Sequence, residues 1–312
     1  MNNIDKKFYI LISEIENSTE EQLFEKIKLN FQFLPQDIKN IFENYFKRFD
    51  YWGTLSEQDS DFDEIKQKAY YLHNNIKDIV WLYQILEDYT SKFLLYSIIN
   101  NWVNYDFQTL NLFTTSKFKH YFDLDLIPNL KDEVFVDIGT YIGDSVLDFI
   151  ESYGLDSYKK IYCYEITADI FNQLKSNLQP YPNITFINKA VKDKNGKIFI
   201  KENVNDSSSN STCQNGQFAI DAVCLDDDIK GKISLIKMDI EGDEFLALQG
   251  AKNHIAKDCP KLLISIYHKN IHLTQLAKLI YSYNNNYKFY LRYHGGNIYP
   301  TEIVLFALPK NK

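Results

Sequence analysis

Apolar residues in the first third of the chain recur at helical intervals. Leu23, Phe24, Ile27 and Phe31 share one face of a predicted helix, and Ser18 with Glu21 makes a capping-box pattern ahead of them. Pro35 stands where a first helical turn tolerates it, before Ile38, Ile41, Phe42, Tyr45 and Phe46. A polar loop from Gly53 to Asp61 leads into a longer helical run through Ile65, Leu72, Ile76, Val80, Leu86, Leu94 and Ile98. Nothing here alternates with the two-residue period of a strand, and no repeat of fixed length is visible. Residues 1–122 are therefore expected to form an all-α N-terminal domain. Such a bundle packs on the rest of the chain or on a second subunit, or supplies a wall of a substrate pocket.

From Val134 the texture changes. Short apolar runs at 134–138, 161–165, 184–188, 234–239 and 262–267 read as strands, and amphipathic segments at 143–152, 168–178, 243–256 and 272–283 read as helices between them. Two closing strands are expected at 287–293 and 302–308. Between 192 and 228 the alternation breaks. There, Lys197–Ile200 and Gln217–Val223 suggest a hairpin across the polar loop Asn205–Thr212. The expectation for 123–312 is an α/β domain with a seven-stranded, mostly parallel sheet and an antiparallel final pair.

Composition narrows the classes of function. The 312 residues suffice for one large or two modest domains, and 45% hydrophobic content suffices for a packed core. A formal charge of -8 argues against non-specific nucleic-acid binding, which depends on dense Lys and Arg. No apolar run approaches the roughly 18 residues of a membrane span, and the first residues lack a signal-peptide pattern. Cys163, Cys213, Cys224 and Cys259 have no metal-ligand spacing, so a cytoplasmic protein with free thiols is expected.

Candidate chemistry gathers at strand ends. Asp137 closes the first strand and is followed by Gly139 and Gly143, a strand–turn–helix corner of the kind that holds a nucleotide-like cofactor. The spacing is Gly-x-x-x-Gly rather than the Gly-x-Gly-x-x-Gly that lets backbone approach a pyrophosphate. It suits a ligand without phosphates, S-adenosylmethionine above all. Asp137 would hold the ligand's amino group or else cap the next helix. Glu165 ends the second strand, where a carboxylate accepts hydrogen bonds from ribose hydroxyls. Ala190 leaves room for a flat base near the third strand. In the run Lys237 to Glu244, Asp239 and Glu241 place negative charge at the same sheet edge, suited to a sulfonium cation, an acceptor's proton or a divalent metal. Asp243 and Glu244 read as helix N-terminal acids. His268 ends the fifth strand with a pKa range apt for general-base work, and His294 is a weaker candidate.

Together these blocks resemble the FkbM family of S-adenosylmethionine-dependent methyltransferases. The resemblance runs from about Phe118 to Pro309 and rests on the stretches Glu133 to Ser145, Tyr164-Glu165, the serine-rich loop 207–211, Val223 to Asp227, Ile236 to Phe245, Leu248 to Ala251, Ile264 to Lys269 and Tyr290 to His294. It implies a class I methyltransferase (Rossmann-like) fold and O-methylation of a sugar or other hydroxyl, as in building a surface polysaccharide or its nucleotide-linked precursor. Asp137, Gly139, Gly143 and Glu165 match cofactor positions, and Tyr141, Asp144, Ser145, Ile166 and Ala190 complete the expected set. Asp239, Glu241 and His268 match the active-site edge, with Asp239 also facing the cofactor and, with Glu241, the only implied metal ligands. The sequence departs from the family after the serine-rich loop, where Thr212 to Gly216 carries no acid. The aromatic helical region lies outside the match and is suited to a homodimer interface.

Two other readings compete: a nicotinamide-dependent oxidoreductase on a similar sheet, and a non-catalytic S-adenosylmethionine-binding or interaction protein. Titration calorimetry separates the first. Saturable binding of S-adenosylmethionine without binding of NAD is the expected result, and the reverse would remove the methyltransferase reading.

Overall fold

A parallel strand pair cannot be closed by a tight turn, so each needs a crossover that covers one face of the sheet. The computed structural model describes residues 2–49, 52–114, 117–201, 210–213 and 218–310. The chain divides into two units, one of residues 1–115, 266–275 and 289–303, the other of residues 116–265, 276–288 and 304–312.

The first unit carries α1 (Asn3–Glu16), α2 (Glu20–Gln32), α3 (Gln36–Arg48), α4 (Asp63–Asn74), α5 (Ile76–Ile85), α6 (Tyr89–Asn104) and the short α7 (Phe107–Asn111). The run expected from Ile65 to Ile98 is thus three helices. The capping box also falls one residue later than expected. Thr19 Oγ1 accepts from Gln22 N at 3.2 Å and Gln22 Oε1 accepts from Thr19 N at 2.8 Å. Ser18 is still finishing α1, its hydroxyl donating to Glu14 O at 2.8 Å. Inside this unit lies a buried ion pair on α4, Glu64 with Lys68 Nζ at 2.6 Å. Burial pushes the Glu64 carboxyl up, while Lys68 and Tyr299 pull it back. The same ammonium lies 5.4 Å from the Tyr105 ring and 5.1 Å from that of Tyr299.

The later elements are β1 (Glu133–Ile138), α8 (Asp144–Tyr153), β2 (Tyr158–Tyr164), α9 (Ala168–Leu178), β3 (Ile184–Ile187), β4 (Ala190–Lys192), β5 (Gly196–Lys201), β6 (Ser211–Cys213), β7 (Phe218–Cys224), α10 (Leu225–Asp228), β8 (Leu235–Met238), α11 (Glu244–Gly250), β9 (Lys261–Ser265), α12 (His272–Tyr283), β10 (Tyr287–Tyr293) and β11 (Ile303–Pro309). Seven of these strands form one mixed sheet in the order β10-β11-β9-β8-β1-β2-β3. The pairs β1–β2, β2–β3, β1–β8 and β8–β9 are parallel, and β11 runs antiparallel to β9. Phe149 of α8 covers β1 at Phe135, ring centroids 5.0 Å apart, and Phe122 packs 5.6 Å from Phe149. The strand order reverses beside β1, with β2 and β3 on one side and β8 and β9 on the other. That reversal leaves a crevice beyond the carboxyl ends of β1 and β8, where ligands of open α/β sheets bind.

The irregular middle forms a second sheet, β4-β7-β5-β6. The expected hairpin is present as the antiparallel pair β5–β7, but β6, drawn from the polar stretch between them, adds to the other edge of β5. Residues 205–209 of that stretch lie outside the described residues. Strand three stops at Ile187, and Ala190 opens the separate strand β4. The helix expected over 243–256 ends as α-helix at Gly250, and a π-helical turn follows at His254–Asp258. A Cβ on Gly250 would stand 1.9 Å from the Lys192 carbonyl oxygen of β4.

Replacing Lys68 with Met leaves the Glu64 carboxylate buried without its cation, at an expected cost of about 3–5 kcal/mol. Urea unfolding checks this. A Glu64→Leu/Lys68→Met protein is expected to recover most of the loss.

Candidate active site

The β1–α8 turn is shaped by a close approach of two chain segments. Gly139 has φ +77°, and a Cβ there would stand 1.8 Å from the Asp239 carbonyl oxygen. Its N–H and that of Thr140 both donate to Tyr164 O, at 3.0 and 3.1 Å. Asp239 N in turn donates to Ile138 O at 3.0 Å, so the ends of β2, β1 and β8 are laced together by backbone. Gly143, at φ +94°, would put a Cβ 2.9 Å from Leu178 of α9. Both glycines are therefore demanded by packing of the protein on itself.

A cavity opens at these strand ends. Gly139, Tyr141, Glu165, Ile166, Ala190, Asp239 and Glu241 all line it, as the sequence leads one to expect. Asp137, Gly143, Asp144 and Ser145 do not. The remaining lining comes chiefly from Lys189, Val191, Asn210, Ser211, Thr212 and Asp243, none of which the sequence singled out for a ligand. The space among these side chains is narrow, about 60 Å³.

Glu165 is 7% exposed and pinned at both oxygens. Oε2 accepts from Tyr141 N at 3.1 Å and Oε1 from Thr167 N at 2.8 Å. Burial pushes its carboxyl above the usual range, and these backbone N–H groups oppose the shift. Tyr141 adopts φ +51° to make its bond, and Glu241 adopts φ +54° on the opposite turn. Non-glycine residues in this region carry strain of about 1–3 kcal/mol each, and such strain clusters at ligand sites. Glu244 braces the second turn: fully buried, its Oε1 accepts from Ile240 N at 3.0 Å and Gly242 N at 3.4 Å. Glu244 stands in the first turn of α11, as the sequence leads one to expect, and its side chain also folds back on the turn before it. Asp243 pairs with Lys192 and accepts from the Thr212 hydroxyl, tying β4, β6 and the β8 turn together.

Beneath the cavity lies a buried cation. Lys237 is 3% exposed, its Nζ 3.2 Å from Asp137 Oδ1, donating to Gly139 O at 2.7 Å and 5.1 Å from the Tyr121 ring centroid. Asp137 is fully buried and also accepts from the Ser145 hydroxyl. Burial pushes the Asp137 carboxyl up, against the pull of Lys237. Burial likewise lowers Lys237, but Asp137, Asp239 and Asp144 outweigh it and leave the ammonium held above its ordinary range. The site is thus built on a charged Lys237 facing Asp137. The amino group that Asp137 meets in this structure is that of Lys237.

Tyr121, 4% exposed, donates its phenol proton to Asp239 Oδ2 at 2.7 Å and lies 2.9 Å from Ser265 Oγ. No periodicity marks it, because it sits between the helical run and β1 in a segment without regular structure. His268 is buried and belongs to the first unit, three residues beyond the end of β9. Its ring lies 4.2 Å from that of Tyr267, whose carbonyl accepts from Trp52 Nε1 at 2.8 Å.

At the far wall, Lys189 Nζ contacts Asp228 Oδ1 at 2.9 Å and Tyr164 donates to Asp228 Oδ2 at 2.7 Å, flanking the small Ala190. The donor set fits an adenosine: a pinned carboxylate for ribose, apolar Ile138, Ile166 and Val191 for a base, and carboxylates beyond.

The model of the methyltransferase FkbM domain family matches residues 137–294. No curated protein matches the chain. Among solved structures, methyltransferase FkbM from Methylobacillus flagellatus KT is similar with a TM-score of 0.66 and 25% identity, over 78% of this chain and 61% of that one. The chain thus spans less than two thirds of that protein. An rRNA methylase from Streptococcus thermophilus (TM-score 0.38, 12% identity, 59% of this chain, 91% of that one) is too distant to bear on function. So is fibrillarin from Aeropyrum pernix, solved with S-adenosylmethionine bound (0.39, 9%, 57% and 67%). The seven-stranded α/β fold is that of class I methyltransferases.

Lys237→Met is expected to cost about 3–5 kcal/mol at neutral pH, because Asp137 then stays buried and charged without a cation. With its folded pKa above the unfolded one, Asp137 favours folding when protonated. The variant should regain stability as pH falls through that raised value and lose it as pH rises. Denaturation midpoints of variant and wild type between pH 4 and pH 8 (a window set about the usual carboxylate range) test this.

Proposed function

The chain belongs to the FkbM methyltransferase family, and from that premise we propose that it is an S-adenosylmethionine-dependent O-methyltransferase. Its acceptor is a hydroxyl of a sugar, in a surface polysaccharide or a nucleotide-linked precursor. The observation that carries this reading is Glu165, a carboxylate pinned by two backbone N–H groups on the wall of a cavity at the sheet's reversal point. Its remaining lone pairs suit a ribose diol. When bound, S-adenosylmethionine supplies an electrophilic methyl group on a sulfonium centre.

The chain's own residues have three tasks. Glu165 and the apolar wall around Ala190 hold the nucleoside. Asp239 and Glu241 provide negative charge complementary to a sulfonium. His268 takes the acceptor's proton, because an alkyl hydroxyl is a poor nucleophile and an imidazole is a competent base near neutral pH. Alignment of the acceptor oxygen behind the methyl group supplies most of the remaining acceleration.

Should Asp239 and Glu241 hold a divalent ion, that ion would lower the hydroxyl's pKa and His268 would orient the site. Methyl transfer from labelled S-adenosylmethionine to fractionated glycans and nucleotide sugars of the source cell tests the proposal. Label in a saccharide fraction is expected, and a screen with label only in protein or nucleic acid would overturn it. With an acceptor in hand, His268→Ala is expected to lower kcat by about 10²–10⁴. Full turnover by that variant removes the base, and activity that survives chelation removes the metal.

A further inference from the structure

We propose that Tyr121 is a positioning residue that holds the Asp239 carboxylate toward the sulfonium of the cofactor. This rests on the reading of the cavity as an S-adenosylmethionine site. Tyr121 lies before the span matched by the family model, which begins at residue 137.

The directions of its hydrogen bonds follow from the groups present. An ionised carboxylate only accepts, so the single phenol proton goes to Asp239 Oδ2 at 2.7 Å. Ser265 Oγ, 2.9 Å from the phenol oxygen, must then be the donor to it. The result is a directed chain from Ser265 at the end of β9, through Tyr121, to Asp239 at the end of β8. Each bond polarises the next in such a chain. A donor to Oδ2 fixes the plane of the carboxylate, which lines the cavity.

The tyrosine is itself held against its backbone preference. Its φ is +65°, where a bulky side chain is disfavoured. The ring is kept there between the Lys237 ammonium, 5.1 Å from its centroid, and the ring of His120, stacked 4.0 Å away at 17°. Its hydroxyl lies at the carboxylate that ends β8, which lines the cavity together with Glu241 and Asp243 of the same turn.

The test needs no acceptor. S-adenosylmethionine carries a positive sulfonium and S-adenosylhomocysteine a neutral thioether, so the ratio of their affinities reads the carboxylate's action on the charge. Both are titrated by calorimetry into the full chain and its Tyr121→Phe variant. The variant is expected to bind S-adenosylmethionine about tenfold more weakly, with the homocysteine compound changed by less than about twofold. In an Asp239→Asn background the same substitution should leave the ratio where Asp239→Asn put it. An unchanged ratio in a Tyr121→Phe protein that melts like wild type overturns the proposal. So does an equal loss in the Asn background.

If Tyr121→Phe does not melt like wild type, Ser265→Ala carries the test, because it removes the donor to the phenol and leaves the ring in place. A reduced ratio supports the chain of bonds, and an unchanged one overturns it. A wild-type protein that binds neither compound overturns this proposal together with the cofactor reading. One that binds both but ignores Tyr121 overturns this proposal alone.

Discussion

The ammonium of Lys237 holds the site together. Four features meet there: the end of β1 through Asp137, the glycine turn through the carbonyl of Gly139, the ring of Tyr121, and the strand β8 that carries the lysine. An ion taken so far from water is costly, and three partners offset that cost. Asp137 supplies a full charge, a carbonyl a partial one and the phenol ring its quadrupole. The two turns that flank the cavity therefore cannot shift independently. Each is fastened to a strand whose neighbour holds the same cation.

Once the turns are fixed, their backbones come closer than side chains allow. Gly139 has no room for a Cβ because the Asp239 carbonyl occupies it. Opposite one another, Tyr141 and Glu241 take left-handed backbone conformations without being glycine. Tyr141 uses that conformation to aim its N–H at Glu165. Glu244 stabilises the other turn by accepting two of its N–H groups. The strain at the cavity is thus balanced by charge-assisted hydrogen bonds inside the same turns. This explains why so many acids cluster at one sheet edge of the protein. Glu165, Asp239, Glu241 and Asp243 line the cavity, while Asp137 and Glu244 are spent on the scaffold.

The division of labour among the acids was only partly legible. The positions of Glu165, Asp239 and Glu241 follow from strand periodicity, since a residue at the carboxyl end of a parallel strand must sit at the sheet's rim. Asp137 obeys the same rule, yet its carboxylate turns inward, because Lys237 two strand positions before Asp239 reaches it first. Nothing in the spacing of a lysine inside an apolar strand tells which acid it will meet. Tyr121 was invisible for a related reason. Its segment has no period, and its partners lie 118 and 144 residues away in sequence. The capping box shows the same limit on a small scale. Ser18 is by preference the better cap, yet Thr19 takes the role because the Ser18 hydroxyl is engaged by α1.

Sequence alone determined the alternation of strands and helices after Val134, the seven-stranded sheet, the strand ends where chemistry gathers and the family. These follow from local periodicity and from residues adjacent in the chain, which tertiary context rarely reverses. Only the tertiary structure decided that the middle of the domain is a second four-stranded sheet, that both glycines answer to packing, and that Asp137 pairs with Lys237 while Asp239 takes the Tyr121 phenol. Those outcomes depend on which of several equivalent partners arrives within about 3 Å when distant strands pair, and hydrogen bonds and ion pairs are decided at that range.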